Sequence, residues 1–509
     1  MKRLVLVIGG GPVGLTTALL LVRHGMRVML VEREKHPRRP VRTVALDDES
    51  LRVWQTCGIA DRIVSDWDGG PDGEVMCRYL TPGGRTFLGL RQAEGDFGYP
   101  QAVAVHEGRI AEALSAAVER HAGIEVRRGE TVVALSQDED LVEVGLRCSD
   151  GHLRHERASW AIACDGAESA VRGLLGVAMP GETLEAPWLV ANVVERAPVL
   201  HATIRCDPRR PSVMVSVPHG VRRIECMLTE PEADVIRNDD HAARTMLASV
   251  WPEAAQAHIM ERAVLRFEAR IAERWRVGRV FLAGDAAHVS PPFAGQGLAA
   301  GLRDAANIAF KLAGATQGWL PIDVLDTYER ERRPHQERLI RLAMRLGRLM
   351  TPRTMASAIA VQGIVRAATA FPFVDRMLHL RGRAIRPRYR EGFVGDGRLA
   401  GTYLPQPHVR TADSEPRRLD DLLGERMTWI AVGRGAERGA LQGVAVAPGD
   451  TVLIENRDFK DPERVLQRTF GRRSVLFVRP DRVVHTHLQP SRASWRLLRR
   501  QPCPSPQVA

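Results

Sequence analysis

The strongest constraint on the fold lies in the first 32 residues. Leu4-Val5-Leu6-Val7-Ile8 is a continuous apolar run closed by glycines, the pattern of a strand buried on both faces of a parallel sheet. Gly9-Gly10-Gly11-Pro12-Val13-Gly14 follows directly. At this spacing Gly9 permits the tight turn, Gly11 lets backbone approach a pyrophosphate, and Gly14 lets the helix pack closely on the sheet. The pattern predicts a helix from about Val13 to His24, ended by Gly25, and a second strand over Met26–Glu32. The start of that helix, after Pro12, offers free N–H groups from Val13 onward and a positive dipole end to phosphates. Glu32 closes the second strand, 18 residues after Gly14, where a carboxylate can accept from a ribose hydroxyl. This βαβ unit sets the fold class as α/β and reads as a dinucleotide site.

The glycine motif alone does not separate FAD from NAD. Two later stretches narrow the choice. Trp160–Ala163 is a short apolar run leading into Cys164-Asp165-Gly166, with Ser169 and Arg172 on the next turn; in isolation Asp-Gly is an ordinary turn. Val280–Ala283 is another such run and delivers Gly284-Asp285-Ala286-Ala287-His288, then Pro291-Pro292 and Gly295-Gln296-Gly297. A helix starting near Leu298 would aim its N-terminus at a developing anion. A reduced flavin ring, whose negative charge sits near N1 and O2, needs that arrangement.

Between these stretches, Leu189–Val194, Ala202–Cys206, Ser212–Val217 and Arg223–Leu228 read as short strands of a mostly antiparallel sheet. The expected architecture is a Rossmann-like FAD-binding domain (1–175 and 273–350) with an inserted sheet domain for substrate (176–272). A helical connector (351–395) and a C-terminal α/β domain (396–509) ending in the strand Ser474–Val478 complete it.

Composition adds exclusions. Net charge is +11, yet acids are interspersed among the bases and aromatics are only 5%, a poor platform for stacked nucleic acid. The basic run Arg496–Arg500 reads as a solvated tail. Seven widely spaced cysteines without CxxC or Cys/His spacing give neither a zinc site nor a disulfide framework, so no metal and a reducing, cytoplasmic setting are expected. No uninterrupted apolar run reaches the ~20 residues of a membrane span, and glycines break the start of the chain where a signal peptide would need continuity.

The three motifs together resemble the single-component FAD aromatic hydroxylases, the para-hydroxybenzoate hydroxylase superfamily. The subgroup of 3-(3-hydroxyphenyl)propionate hydroxylases is the nearest. Further resemblance lies in Ala45-Leu46-Asp47-Asp48-Glu49, Cys206–Pro211, Gly295–Lys311 and Asp326–Pro334, covering about residues 1–345. The resemblance implies that Gly9, Gly11 and Gly14 contact the FAD pyrophosphate and Glu32 the adenosine ribose. It places Arg33 by the adenine and Arg42 near the pyrophosphate. Asp165 would bridge the pyrophosphate region to the nicotinamide groove, and Asp285 would bind the ribitol chain. The backbone of Gly297, Leu298 and Ala299 would face the flavin pyrimidine edge beside Gly295, with Pro292 on the reaction side. His106 stands where relatives often have Gln, and Ala299 where they have Asn. His288 is expected to support the loop more than to act as a base. The C-terminal part resembles a thioredoxin-like domain without CxxC, for packing or homodimer contact.

The reaction so implied is NAD(P)H- and FAD-dependent hydroxylation of a phenolic, carboxylated monocyclic ring, by O2 through a flavin C4a-hydroperoxide. Arg210, Arg222 and Arg223 are candidates for the substrate carboxylate or, more simply, for surface acids. The rival readings are a tailoring oxygenase of a polycyclic aromatic, a flavin protein without hydroxylase activity, and, on charge alone, a nucleic-acid-binding module.

Overall fold

The computed structural model describes residues 4–36, 45–65, 75–91, 95–105, 107–194, 202–371, 386–412, 415–433 and 446–489. Arg42, His106 and the tail from Arg496 lie outside the described residues.

A six-stranded sheet carries the first lobe. Its order is Arg276–Val277, Val280–Leu282, Trp160–Ala163, Leu4–Ile8, Arg27–Glu32 and Ile124–Arg128. Five strands run parallel and only the edge pair 276–277/280–282 is antiparallel. The central strands read as unbroken apolar runs because both faces are covered. Val5, Leu6 and Val7 are wholly buried, as are Ala161, Ile162 and Ala163. The helix Pro12–Arg23 lies buried from Gly14 to Val22, with Pro12 in its first turn where a missing N–H costs nothing. Gly25, at φ +76°, turns the chain out of it. A second long helix, Gly297–Gln317, ends on Gly318 at φ +79° and packs beside the first. That approach is close enough that a Cβ on Gly301 would lie 2.5 Å from Val13 Cγ2.

The second sheet has seven strands, in the order 259–265, 188–194, 221–227, 212–217, 202–205, 75–80 and 86–91. All pairings are antiparallel except 202–205 with 75–80. Two of its strands thus come from well before residue 176, where the sequence pattern opens the sheet. One face is apolar against the helices Glu230–Asn238 and Asp240–Val250, through Leu189, Ala191, Ile224 and Cys226. The opposite face turns to Phe293, which meets Trp188 and Phe267 edge-on.

The stretch 351–395 contains a helix, Met355–Thr369, whose Gln362 donates to the Cys206 carbonyl. Residues 428–488 form a four-stranded sheet, ordered 451–454, 428–432, 474–478 and 484–488, with one parallel and two antiparallel pairings. Ser474–Val478 is therefore not its last strand. Val484–Leu488 pairs beyond it, and its two histidines conceal an almost fully buried strand. Among the described residues no helix is long and apolar enough to cross a membrane, and no group of metal-ligating side chains occurs.

Candidate functional site

The three motifs leave the same edge of the same sheet. They follow the strands 4–8, 160–163 and 280–282, which are consecutive neighbours running in parallel. In open α/β sheets that carboxyl edge is where ligands bind. Backbone hydrogen bonds carry the register into the loops: Cys164 N–H donates to the Ile8 carbonyl and Ala283 N–H to the Ala163 carbonyl.

The glycines differ in what they do. A Cβ on Gly9 would fall 2.3 Å from the Cys164 carbonyl oxygen, and one on Gly14 would fall 1.9 Å from the Gly9 oxygen. Both are therefore needed for the loops to meet at all. A Cβ on Gly11 or on Gly297 would meet nothing within 4 Å. These two sit at helix starts, where first-turn N–H groups have no intrahelical acceptor. They leave open concave backbone, which suits phosphate at Gly11 and a delocalised anion at Gly297.

Glu32 accepts from Gly10 N–H at 2.5 Å and from Glu34 N–H at 2.8 Å, so its carboxylate is fixed at the rim of the turn. Arg33 is half exposed beside it, with Glu34 3.7 Å away. Asp165 Oδ2 takes the Val171 N–H at 3.1 Å, whereas Oδ1 is buried with no hydrogen-bond partner among the described residues. Burial pushes the Asp165 carboxyl up, against the pull of Ser169 and the backbone. An orphaned buried acceptor at the mouth of a phosphate turn fits a bound group that supplies a donor. Asp285 lies half-buried in the turn Gly284–Ala286. Pro292 opens a second turn, closed by Gly295 at φ +62°. Pro12, Val13, Leu298 and Ala299 lie at the two helix starts, and Val13 touches the space beside Gly284 and Gly301.

His288 is 1% exposed and gives Nε2 to Asp304 Oδ2 at 2.7 Å, stacked on Trp275. Asp304 also accepts from Gly284 N–H and from Arg332 Nε. Burial would raise that carboxyl, but His288 and Arg332 hold it below the ordinary range. The arrangement locks the Gly284–His288 loop to the helix behind it and gives His288 no path to a substrate.

A second ionic group stands behind Gln296. Arg303 reaches Glu49 through Nε and Nη2, both at 2.7 Å, and gives Nη1 to Gln296 Oε1 at 3.0 Å. Neither Arg303 nor Asp304 was singled out from the sequence. The available signal was adjacent charges inside an otherwise apolar helix, Leu302-Arg303-Asp304-Ala305. Nearby, burial pushes Asp48 up to about 7, with Arg386 pulling down and Asp47, Glu49 and Asp96 pushing up. The folded pKa exceeds the unfolded one, so this contribution to stability is complete below pH 4 and lost as pH rises to 7. Asp48→Asn is expected to flatten that slope in denaturant titrations from pH 4 to 7, by at most about 4 kcal/mol. An unchanged slope would show that Asp48 is not the group responsible.

Comparison with known proteins shows the family. The family described as FAD binding domain matches residues 2–343, and the HcaD C-terminal domain matches 401–499. The chain is an FAD-dependent aromatic hydroxylase. It is similar to the 3-(3-hydroxy-phenyl)propionate/3-hydroxycinnamic acid hydroxylase of Mycolicibacterium gilvum, 33% identical across 94% of this chain and 88% of that one. The protein of the same name from Burkholderia cenocepacia is 32% identical over 94% and 93%. Among solved structures, the OxyS anhydrotetracycline hydroxylase of Streptomyces rimosus superposes with a TM-score of 0.77 at 25% identity, covering 96% of each chain. The monooxygenase PieE, solved with FAD and substrate, shares the fold with a TM-score of 0.79 at 24% identity over 97% of each. For this aromatic hydroxylase, Gly11, Gly297 and the orphaned Asp165 oxygen are the features that fit FAD.

Proposed function

We propose that the protein hydroxylates a carboxylated monocyclic phenol, using NAD(P)H as reductant. Arg223 carries this reading. It lies on the face of the seven-stranded sheet turned toward Phe293 and the Pro292 turn, in register with Val215 and two residues from Glu225, which pairs with Val190 and Val213. Arg223 is 5% exposed and gives Nε to Glu225 at 2.6 Å. Glu225 takes only the Nε side of this guanidinium, and the Nη edge is the natural anchor for one carboxylate. Arg210, by contrast, has both Nη groups taken by Glu232, at 2.8 and 2.6 Å, and Arg222 lies over Trp251 on the opposite face. The relatives' name, a hydroxyphenylpropionate hydroxylase, fits a phenol with an acidic tail.

FAD, when bound, supplies electron transfer from the nicotinamide and activated oxygen for the ring. The chain's own part is to hold the pyrophosphate at Gly9–Gly14, the ribose at Glu32 and the ribitol at Asp285. Arg42 and His106 are proposed to complete the cofactor contacts. The helix start at Gly297–Ala299 stabilises negative charge at the pyrimidine edge, and the apolar wall excludes water. A phenol suits the site because its oxygen lone pair activates the ring, so no general base is required at His288. The sheet over 428–488, with its parallel and antiparallel pairings, supports a thioredoxin-like C-terminal domain, inserted sheet and FAD lobe being separate units.

Arg223→Met is expected to raise KM for 3-(3-hydroxyphenyl)propionate about ten-fold or more, the scale of a lost charged hydrogen bond. KM for 3-ethylphenol, which lacks the carboxylate, should stay unchanged. Equal effects on both would remove the carboxylate reading. Product formation only from a polycyclic phenol in the same panel would favour the tailoring-oxygenase reading instead.

A further inference from the structure

Asp47, Asp48 and Glu49 are three successive carboxylates at the start of the helix Asp48–Thr56. All three are largely withdrawn from water, so their mutual repulsion must be answered by cations. Asp47 caps the helix by accepting from Ser50, and its second oxygen faces Gln296 Nε2 at 3.3 Å and Arg303 Nη2 at 3.4 Å. Glu49 takes both lower edges of Arg303. Asp48 points elsewhere, to Arg386 Nη2 at 2.7 Å. Arg386 also binds Asp96 and lies over the Phe97 ring at 4.1 Å. One turn further along the helix, Arg52 joins Asp420 and the Leu404 carbonyl.

We propose that Arg386 is a positioning residue for the turn Gly295–Ala299, acting through Asp48, its neighbours Asp47 and Glu49, Arg303 and Gln296. The proposal rests on the reading above that Gly297, Leu298 and Ala299 face the flavin. It gives a residue beyond the FAD-binding lobe a task at the cofactor, 90 residues upstream of where Arg386 stands.

The physical argument is competition for one guanidinium. Arg303 makes three separate commitments, to Glu49, to Asp47 and to the Gln296 carbonyl oxygen. The Gln296 contact, at 3.0 Å, is the only one of the three to a neutral acceptor, so it gains least from charge. While Arg386 satisfies Asp48, Arg303 is free to keep it. Without Arg386, Asp48 has no cation of its own; once ionised at alkaline pH it turns to the remaining cation of the cluster, and Arg303 gives up Gln296 first. Gln296 is the N-cap of the helix whose first turn faces the flavin, and its own side chain makes no cap hydrogen bond. Its position is therefore set from outside the helix, by Arg303 and Asp47.

The test uses full-length apoprotein titrated with FAD at pH 6 and at pH 9, reading the dissociation constant and the visible flavin spectrum, with the effects below expected at the higher pH, where Asp48 ionises. Arg386→Leu is expected to weaken FAD about ten-fold or more and to shift the flavin bands. Adding Asp48→Asn to it removes the competing charge and should restore both readouts to within about two-fold of the starting protein. If the double variant is no better than Arg386→Leu, Arg386 is only structural and the proposal fails. It fails equally if Arg386→Leu changes neither readout while Asp285→Ala loses FAD, which would leave the cofactor site itself intact. Normal FAD binding by Asp285→Ala would instead remove the site reading, and the proposal with it. Should Arg386→Leu prove insoluble, Arg386→Lys keeps the charge without the fork to Asp96, and an intermediate, Asp48→Asn-rescued shift is expected.

Discussion

Gly11→Val is expected to give a folded protein that no longer retains FAD, whereas Gly9→Ala and Gly14→Ala are expected to break the motif itself. Gly11 has φ −73°, ordinary for any residue, and open space where its side chain would stand. As the residue before a helix it tolerates exchange at a cost of about 1 kcal/mol. The added side chain, however, occupies the place of a phosphate at the helix start. Losing two charged hydrogen bonds there, at about 1.5–3 kcal/mol each, weakens binding by more than about 100-fold. Gly9 is different, because φ +108° and the Cys164 carbonyl 2.3 Å from a Cβ act together. Gly14 would drive its Cβ into the Gly9 oxygen. Those substitutions part the strands 4–8 and 160–163 and cost several kcal/mol. Thermal unfolding of the apoproteins and flavin content after purification separate the two classes. A Gly11→Val protein that purifies with a full complement of FAD would refute the assignment of the cradle.

The second large effect is expected at Glu331. This carboxylate is fully buried and holds Lys311 Nζ at 2.8 Å, Arg479 Nη2 at 2.8 Å, the Phe393 N–H at 2.8 Å and Asn307 Nδ2 at 2.7 Å. Burial would raise it, yet Arg479 and Lys311 keep it ionised, down to about 2. Burial also lowers Lys311 to about 8 despite Glu331. Glu331→Ala leaves two buried cations against Asp481 alone, so destabilisation of about 3–5 kcal/mol is expected. Because the folded pKa lies below the unfolded one, the wild-type contribution is present above pH 4.5 and disappears as pH falls toward 2. Denaturant midpoints measured at pH 7 and pH 3 check both parts: the variant should differ strongly at pH 7 and less at pH 3. A variant as stable as the wild type at pH 7 would show that these charges are solvated in solution.

What the sequence made legible was local. The run Leu4–Ile8, the glycine spacing and the apolar stretches 160–163 and 280–282 each carry their own signal within a few residues, and all three strands and turns lie where the pattern puts them. The strands of the seven-stranded sheet between 188 and 227 were readable from β-branched residues for the same reason. The ionic framework was not readable, because its partners are remote. Arg303 and Glu49 are 254 residues apart, and Arg52 and Asp420 are 368 apart. A charge whose burial depends on so distant a partner looks like any surface charge in the sequence. Likewise, Val75–Leu80 shows nothing that would pair it in parallel with Ala202–Arg205, since register between distant segments is set by tertiary packing. The strand Val484–Leu488 hid behind its histidines for a related reason, their burial being supplied by Phe393, Phe470 and Phe477 around them.

The order of strands in the first sheet also bears on how the chain emerges from the ribosome. Trp160–Ala163 needs Val280–Leu282 on its outer side, yet 116 residues separate the two (from 164 to 279). At about 5–20 residues per second, the nascent chain displays an unpaired, wholly apolar strand edge for roughly 6–23 s. Such an edge is a template for association with any passing strand. Synthesis of five of the seven strands of the second sheet fills that interval. Efficient production of this protein is thus expected to depend on holdase chaperones at the exit tunnel, and to suffer from slowed translation between residues 164 and 279.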